Sequence, residues 1–358
     1  MEHHSRQNRH AFDIIVTPSQ LEGQPGQKSP VGRRGTGGKG FAPPTTTATA
    51  SAARRGVVQL GVVLTHCSFV FGAILLKAGM KDVDKARGEV FSPIVYAFYR
   101  EASAGPLLFL LSVVTVGYRL PLRKDAMSVF FLGLCMFVSQ LLYIIGVDMA
   151  GVLMASCVQP SVPVFTVMIG VMIGAERGSA RKVVGILLAV LGAICMVAGS
   201  VGSGEETGSG QDGSASRYLM GSLCIVANAI AMAVYYLLAK RLVASYSAVH
   251  VAAWAYAVAA SLMGLAALVW TSPTDWVFPK AMVAPLVYWI FVCSVGGYLV
   301  VTAAMNHLPA SQVASFQCLQ PFVGAMLAVM VLGEHLNVYD LGALGIVVGL
   351  LMVTRDGK

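Results

Sequence analysis

Long apolar runs separated by short polar stretches make up the chain after Arg55. Each run is long enough, at about 1.5 Å per helical residue, to cross most or all of the roughly 30 Å hydrocarbon core of a bilayer. Ten runs are present, at residues 57–79, 92–116, 126–147, 151–174, 182–201, 218–239, 247–270, 281–303, 309–332 and 338–354. Because lipid offers no partner for an unpaired backbone group, and the alternating segments of a barrel do not occur, the runs are predicted to be transmembrane helices.

Two polar stretches set the domain organisation. Residues 1–55 are rich in Gly, Thr, Ser, Pro and Arg and show no apolar periodicity, which predicts a disordered N-terminal tail. Residues 202–217 form an acidic linker rich in Gly and Ser. The linker leaves five predicted spans in residues 56–201 and five in residues 218–355, so the chain is predicted to consist of two five-helix halves.

The fourth span of each half carries the same sequence pattern. A Gln-Pro pair, at Gln159 in the first half and at Gln320 in the second, is followed by about a dozen apolar residues and then by Gly and Glu. A repeat of an odd number of spans places its second copy upside down in the membrane. This arrangement is typical of secondary transporters, whose substrate binds near the midplane between the halves. The predicted fold is therefore an all-α membrane protein of two inverted five-helix repeats.

Composition and charge support a membrane protein and argue against nucleic-acid binding. The chain is 56% hydrophobic and 12% charged, whereas soluble chains carry about 25% charged residues. Its mean hydropathy is +0.72. The net charge of +8 does not form one basic surface, because eight of the 25 Lys and Arg lie in the first 55 residues and most others lie in short loops. This distribution is typical of topology signals in membrane proteins.

The basic loops also predict the orientation. With the N-terminus inside, the cytosolic loops carry Arg119, Arg123, Lys124, Arg177, Arg181, Lys182, Lys240 and Arg241. The opposite side holds the acidic linker 202–217. Both termini are therefore predicted to be cytosolic. The plasma membrane is favoured, and the vacuolar and plastid membranes are the alternatives.

Short motifs recur in a fixed order along the predicted spans. They are Tyr99-Arg100, Gln140-Leu-Leu-Tyr143-Ile-Ile-Gly146, Gln159-Pro160 with Pro163, Leu319-Gln320-Pro321, Leu332-Gly333-Glu334, and Gly345 with Gly349. Over residues 57–355 these motifs resemble the drug/metabolite transporter superfamily, whose repeat unit is the EamA domain. The sequence looks most like the plant branch called UMAMIT or walls-are-thin-related. The resemblance implies a facilitator or proton-linked carrier of amino acids or related carboxylates.

Arg100 is the strongest candidate for substrate binding. It is predicted to lie about midway along the second span, where an ionisable side chain is costly enough to be a functional candidate by default. A guanidinium can hold a carboxylate through two parallel hydrogen bonds, and amino acids, auxin and organic acids all carry one. The alternative is an Arg that ties helices together through backbone carbonyls.

Glu101 is the candidate for proton coupling. It follows Arg100 directly, about 100° further around the helix, so we expect the two side chains to face different surroundings. Glu101 could carry a proton or meet a substrate ammonium group. It could equally pair with a Lys or Arg of another span.

Polar side chains in other spans are predicted to line the substrate cavity. Gln140 and Tyr143 share a face of the third span, and Asn228 and Tyr235 share a face of the sixth. The alternative for each of these residues is hydrogen bonding between helices.

Three glutamines flank the prolines of the two fourth spans. They are Gln159, Gln317 and Gln320. Proline removes a backbone hydrogen bond and frees a carbonyl, so these helices are predicted to bend or unwind near the site. Amide side chains beside freed carbonyls suit the ammonium and carboxylate groups of a zwitterion.

Other notable residues are predicted to be structural. His66 is expected to be a packing residue with one hydrogen bond, and Glu176 and Glu334 are expected to be anchors at helix ends. The fifth spans carry small residues at helical spacing, which predicts close helix packing within the chain or a homodimer through helices 5 and 10. The small residues are Gly185, Ala189 and Ala193, with Gly345 and Gly349.

The sequence contains no HExxH, GxSxG or P-loop motif and no paired metal-ligand spacing, so neither an enzyme nor a bound cofactor or metal is predicted. The expected partners are the lipid bilayer and a small-molecule substrate. The leading hypothesis is a secondary transporter of amino acids or similar carboxylates. An auxin or other organic-anion carrier, a sugar-phosphate or nucleotide-sugar carrier, and a membrane receptor or scaffold are the alternatives.

Overall fold

The computed structural model describes residues 46–85, 91–117, 119–202, 215–332 and 342–355. The first half contains helices α1 (Thr46–Lys85), α2 (Pro93–Val116), α3 (Ala126–Val158), α4 (Gln159–Met172) and α5 (Ala180–Gly202). The second half contains α6 (Ala215–Val243), α7 (Ala248–Trp270), α8 (Lys280–Ala304), α9 (310–332) and α10 (Gly342–Arg355). Each helix overlaps the predicted span of the same number, and α3 also includes the first residues of the fourth predicted span, 151–158. Within the described residues, six helices are long and apolar enough to cross a membrane, namely α1, α2, the first part of α3, α6, α7 and α8.

The predicted tail and the predicted linker are described only in part. Residues 1–45 of the predicted tail and 203–214 of the predicted linker lie outside the described residues. The last ten residues of the predicted tail, 46–55, are helical instead of disordered, because α1 begins at Thr46. This segment is rich in Ala, which has the highest helix propensity, and it extends α1 on the N-terminal side of the apolar run.

The break predicted between the third and fourth spans is not a break in helical hydrogen bonding. The backbone is helical from Ala126 to Val158 and continues into a 3-10 turn at Gln159. In a straight helix Ser139 and Gln159 would lie about 30 Å apart. Instead both contact Asn228 of α6, which donates to the Ser139 carbonyl and accepts from the Gln159 amide. The chain therefore turns back on itself between these residues, as a hairpin of spans requires.

The packing of the helices follows a two-fold pattern. Helix α1 packs on α8 as α6 packs on α3, and α1 packs on α9 as α6 packs on α4. Helix α2 packs on α8 as α7 packs on α3, while α2–α7, α4–α9 and α5–α10 pair across the two halves. Exchanging each helix of the first half with its counterpart in the second turns the first six contacts into one another in pairs and the three α2–α7, α4–α9 and α5–α10 contacts into themselves. The contacts α1–α8 and α2–α8, for example, become α6–α3 and α7–α3. The two halves are thus related by a pseudo-two-fold axis, as expected for an inverted repeat.

The two fourth spans meet at this axis. Each is interrupted by a 3-10 turn, at Gln159–Ser161 in α4 and at Phe316–Cys318 in α9. The Cys318 thiol donates to the Pro160 carbonyl at 3.8 Å, so the two turns are in contact. The bend predicted from the prolines is confirmed, and it lies between the halves.

Glycines bring α5 and α10 into backbone contact. A Cβ atom added at Gly349 would lie 2.3 Å from the Gly185 carbonyl oxygen, and one at Gly192 would lie 2.4 Å from the Gly342 carbonyl oxygen. The small-residue stripes predicted for these helices therefore pack against each other within one chain. Since this contact occupies them, a homodimer through the same stripes is not proposed.

Polar contacts join the halves at the predicted cytosolic end. The Glu176 carboxylate, after α4, accepts hydrogen bonds from the Ser311 backbone N–H at 3.0 Å, from the Ser311 hydroxyl and from Lys182. Lys240 donates to the Met305 and Leu308 carbonyls at the end of α8. Glu176 is an anchor at a helix end, as predicted, whereas Glu334 lies outside the described residues.

A tyrosine ties two loops together at the same end. The Tyr246 hydroxyl donates to Asp125 at 2.7 Å and accepts from the Leu122 backbone N–H at 3.1 Å. Burial and the bond to Asp125 raise the pKa of Tyr246 above its ordinary value of 10, so the phenol stays protonated and keeps donating at neutral pH.

Candidate functional site

The candidate site is built around Arg100 on α2. Arg100 is seven residues, or about 10 Å, from the start of the helix at Pro93. It therefore lies in the first third of the helix, nearer the predicted outer end, and the expectation of a midway position is wrong. Ser92 accepts a hydrogen bond from the Val95 backbone N–H and Pro93 occupies the first turn, so this helix end is set by local capping.

Three helices supply the contacts of the guanidinium. Its Nη2 atom donates to Glu101 Oε1 at 3.2 Å and to Gln140 Oε1 on α3. The guanidinium carbon also lies 5.6 Å from the centre of the Trp289 ring on α8, within range of a cation–π interaction. Arg100 and Glu101 therefore share one environment, and the expectation of different surroundings is wrong. The long Arg side chain folds back because a charge buried between helices is stabilised by an opposite charge.

Several polar atoms of this group have no hydrogen-bond partner among the described residues. They are Arg100 Nε, Glu101 Oε2 and Gln140 Nε2, and all three are buried. The side chain of Arg100 is 15% exposed and that of Glu101 is fully buried. Buried donors and acceptors are normally paired, so unfilled ones on three adjacent side chains are what a binding site for a polar ligand requires.

Aromatic rings line the space beside this polar group. The Trp289 ring stacks on Phe69 of α1, with ring centres 6.2 Å apart and planes 5° apart. Phe69 in turn lies 6.0 Å from Tyr298. Tyr298 contacts Tyr235 of α6 and Tyr256 of α7, at 6.3 and 5.5 Å between ring centres. Helices of both halves thus contribute to one aromatic wall.

Asn228 connects three helices through hydrogen bonds. Its Nδ2 atom donates to the carbonyl and the hydroxyl of Ser139, at 2.6 and 2.8 Å, and its Oδ1 atom accepts from Gln159 Nε2 at 2.9 Å. Its side chain is 4% exposed. Both of its donors and its acceptor are occupied, which favours the alternative of interhelical bonding over substrate contact.

Replacing Asn228 with Ala is expected to lower the free energy of unfolding by about 2 kcal/mol, because three interhelical hydrogen bonds are lost. Thermal unfolding of the purified protein in detergent measures this change. Ser222→Ala is the matched control, since among the described residues the Ser222 hydroxyl bonds to the Tyr218 carbonyl of its own helix and not to another helix. An Asn228→Ala protein of unchanged stability that no longer transports would instead make Asn228 a substrate ligand.

The remaining predicted site residues differ in their contacts and in their exposure. Gln317 donates to the Tyr236 hydroxyl at 2.8 Å, and Gln320 donates to His66 Nδ1 at 3.2 Å, so both bond to helices other than their own. Tyr235 is fully buried, and its hydroxyl lies within reach of the Thr302 hydroxyl on α8. Tyr143 is 37% exposed, and the structure does not bring it to the Arg100 group.

The sequence analysis did not identify the aromatic residues of the site or Ser139. Phe69, Trp289, Tyr256 and Tyr298 lie within apolar runs, where an aromatic ring is expected to be core or lipid-facing. The available signal was that Tyr and Trp each carry a polar atom, which has to find a partner inside a membrane.

The sequence model of the EamA-like transporter family matches the chain twice, over residues 59–198 and 219–355. The chain belongs to the EamA-like transporter family. Each match covers one half, so the two EamA units coincide with the two five-helix repeats. The EamA chain is therefore a multi-pass protein of the lipid bilayer and a transporter of small molecules.

Two individual proteins resemble this EamA chain over most of its length. An uncharacterized transporter of Archaeoglobus fulgidus is 24% identical over 300 residues, which are 83% of this chain and 96% of that protein. A solved crystal structure, described only as that of a protein, aligns with a TM-score of 0.65 at 17% sequence identity. It covers 86% of this chain and 99% of its own, and this similarity establishes the fold alone.

Proposed function

We propose that the protein is a secondary transporter of small metabolites that carry a carboxylate, most of all amino acids. The observation that carries the proposal is the buried group of Arg100, Glu101 and Gln140 with its unfilled polar atoms. A guanidinium with a free donor edge binds a carboxylate in a bidentate manner. The Arg100 Nε atom is the unfilled donor that such a carboxylate would take, and the Gln140 amide, which also lies within reach of the Glu101 carboxyl group, can supply a second.

Glu101 makes an amino acid a better fit than a simple anion. Its Oε1 atom is occupied by Arg100 and its Oε2 atom has no partner in the described residues. The free oxygen can accept from a substrate ammonium group, or can take up a proton in a coupled cycle. A zwitterion would leave the buried group neutral overall, which avoids the cost of an uncompensated charge in the membrane.

We further propose that transport proceeds by alternating access around the pseudo-two-fold axis, with both termini in the cytosol. The two-fold packing pattern and the contact between the two broken turns support alternating access. Cytosolic termini are supported by the exposure of basic loop residues at one end of the molecule. These residues are Arg119, Arg123, Lys124, Arg177, Arg181 and Arg241. The plasma membrane and the plant UMAMIT branch are the location and subfamily that we propose.

An organic-anion carrier, for auxin among others, is the second candidate, since it would use the same Arg100 contact. Sugar phosphates and nucleotide sugars carry two or more negative charges and fit less well. Within the described residues, Arg100 is accompanied in its cluster by an acidic residue and not by another Lys or Arg.

Uptake into proteoliposomes tests the proposal. Radiolabelled amino acids, auxin and an uncharged sugar are compared with and without an inward pH gradient, against empty liposomes. The expected result is saturable uptake of at least one carboxylate, with sugar at background. Uptake confined to the sugar, or uptake of no carboxylate by correctly folded protein, would contradict it. Dependence on the pH gradient that disappears in Glu101→Gln would assign proton coupling to Glu101.

A further inference from the structure

The two halves place a polar side chain at equivalent positions of their first helices, Asn228 on α6 and His66 on α1. Asn228 is bonded by Gln159 of α4, and His66 is bonded by Gln320 of α9. Helices α4 and α9 are counterparts in the two-fold packing pattern, as are α6 and α1. The two residues therefore occupy corresponding sites on either side of the axis.

The two sites differ in whether they are filled. All hydrogen-bonding atoms of the Asn228 amide have partners, two of its bonds going to Ser139. His66 is 1% exposed, and its Nδ1 atom accepts from Gln320 Nε2 at 3.2 Å. When the Nδ1 atom of a neutral imidazole accepts a hydrogen bond, the ring hydrogen is on Nε2. The Nε2 atom of His66 is buried without a partner among the described residues.

Close packing at Gly297 keeps a side chain of α8 out of the region beside His66. A Cβ atom at Gly297 would come within 2.8 Å of Phe69 and 3.1 Å of Thr65, the residue that precedes His66. Helices α1 and α8 therefore meet at this point without a side chain between them.

A continuous row of rings connects His66 with the Arg100 group. The Arg100 guanidinium lies 5.6 Å from the centre of Trp289, Trp289 stacks on Phe69 at 6.2 Å, and Phe69 lies 5.6 Å from His66. The cationic group and the open imidazole donor therefore stand at the two ends of one aromatic wall.

We propose that His66 Nε2 donates a hydrogen bond to the substrate at the end remote from its carboxylate. The proposal rests on the function proposed above, in which Arg100 holds the carboxylate. It specifies the substrate class as carboxylates that carry a second oxygen acceptor, such as amino acids with a side-chain amide or carboxyl group. His66 then has a role in specificity, in contrast to the packing role expected from the sequence.

The test compares glutamine with norleucine, which has an unbranched side chain of similar length without the carbonyl oxygen. Initial uptake rates are measured in proteoliposomes for the wild type, His66→Leu and His66→Asn. We expect the glutamine-to-norleucine ratio to fall about tenfold in His66→Leu, with norleucine uptake within about twofold of the wild type. His66→Asn retains a donor and should recover part of the preference. Cys67→Ala, the neighbouring residue on α1, is the matched control.

A ratio that stays at the wild-type value in His66→Leu, or a wild type without preference for glutamine, overturns the proposal. If His66→Leu does not fold, the same ratio in Gln320→Ala decides, since this variant removes the hydrogen bond that orients the His66 ring. An unchanged ratio in Gln320→Ala again overturns the proposal. Wild-type protein that transports neither amino acid contradicts the carboxylate function itself, and is distinguishable from the loss of preference alone.

Discussion

Replacing Arg100 with Gln is expected to lower the initial rate of carboxylate uptake about a hundredfold, because a charge-assisted pair of hydrogen bonds to the substrate is lost. Arg100→Lys keeps the charge but not the planar pair of donors, so it should recover only part of the rate. Uptake into proteoliposomes at subsaturating substrate measures both. Arg119→Gln, which removes the same charge from an exposed loop, is the matched control and should transport at the wild-type rate.

The same substitution is expected to destabilise the protein, and the two effects can be separated. Glu101 is fully buried and its ionic partner is Arg100, so Arg100→Gln leaves a buried carboxylate unpaired, at a cost of about 3 kcal/mol. Combining Arg100→Gln with Glu101→Gln removes both charges and should restore thermal stability toward the wild type. Uptake should remain lost in the double variant. A stable double variant that still transports would show that Arg100 has a structural role only.

Much of the fold was predictable because lipid restricts the chain to apolar helices. The ten runs, the two halves and the bend at the prolines all follow from hydropathy and from one repeated pattern. The residue-by-residue alignment of the two copies was harder to predict from the sequence. Both fourth spans contain a Gln-Pro pair, but the 3-10 turn begins at Gln159 in α4 and at Phe316 in α9, four residues before Gln320. Four residues are slightly more than one helical turn, so a repeated dipeptide is a weak guide to where the helix geometry changes.

The site was only partly predictable, since sequence spacing does not say how far a side chain reaches. Arg100 and Gln140 were predicted and are in contact, yet Glu101 joins them because the Arg side chain folds back along its own helix. Asn228 and His66 show the second limit. Their sequence contexts did not reveal that Ser139 bonds to Asn228, whereas the Nε2 atom of His66 has no partner among the described residues. These differences depend on which helices pack together, and that information is not local.

The contact between α5 and α10 provides the second large effect. Gly349→Ala is expected to destabilise the protein by about 3 kcal/mol, because the added Cβ atom would lie 2.3 Å from the Gly185 carbonyl oxygen and 2.6 Å from the Ala189 nitrogen. These neighbours are backbone atoms of a helix, so neither can rotate away as a side chain would. The two helices have to separate, and the buried contacts along the whole crossing weaken with them.

Thermal unfolding in detergent should show a midpoint lower by roughly 5–10 °C for Gly349→Ala. Gly324→Ala is the matched control, because Gly324 also lies in a membrane helix but an added Cβ atom there meets nothing within 4 Å. Its midpoint should stay at or slightly above that of the wild type, since Ala favours helix over Gly. Equal midpoints for Gly349→Ala and Gly324→Ala would contradict the close approach.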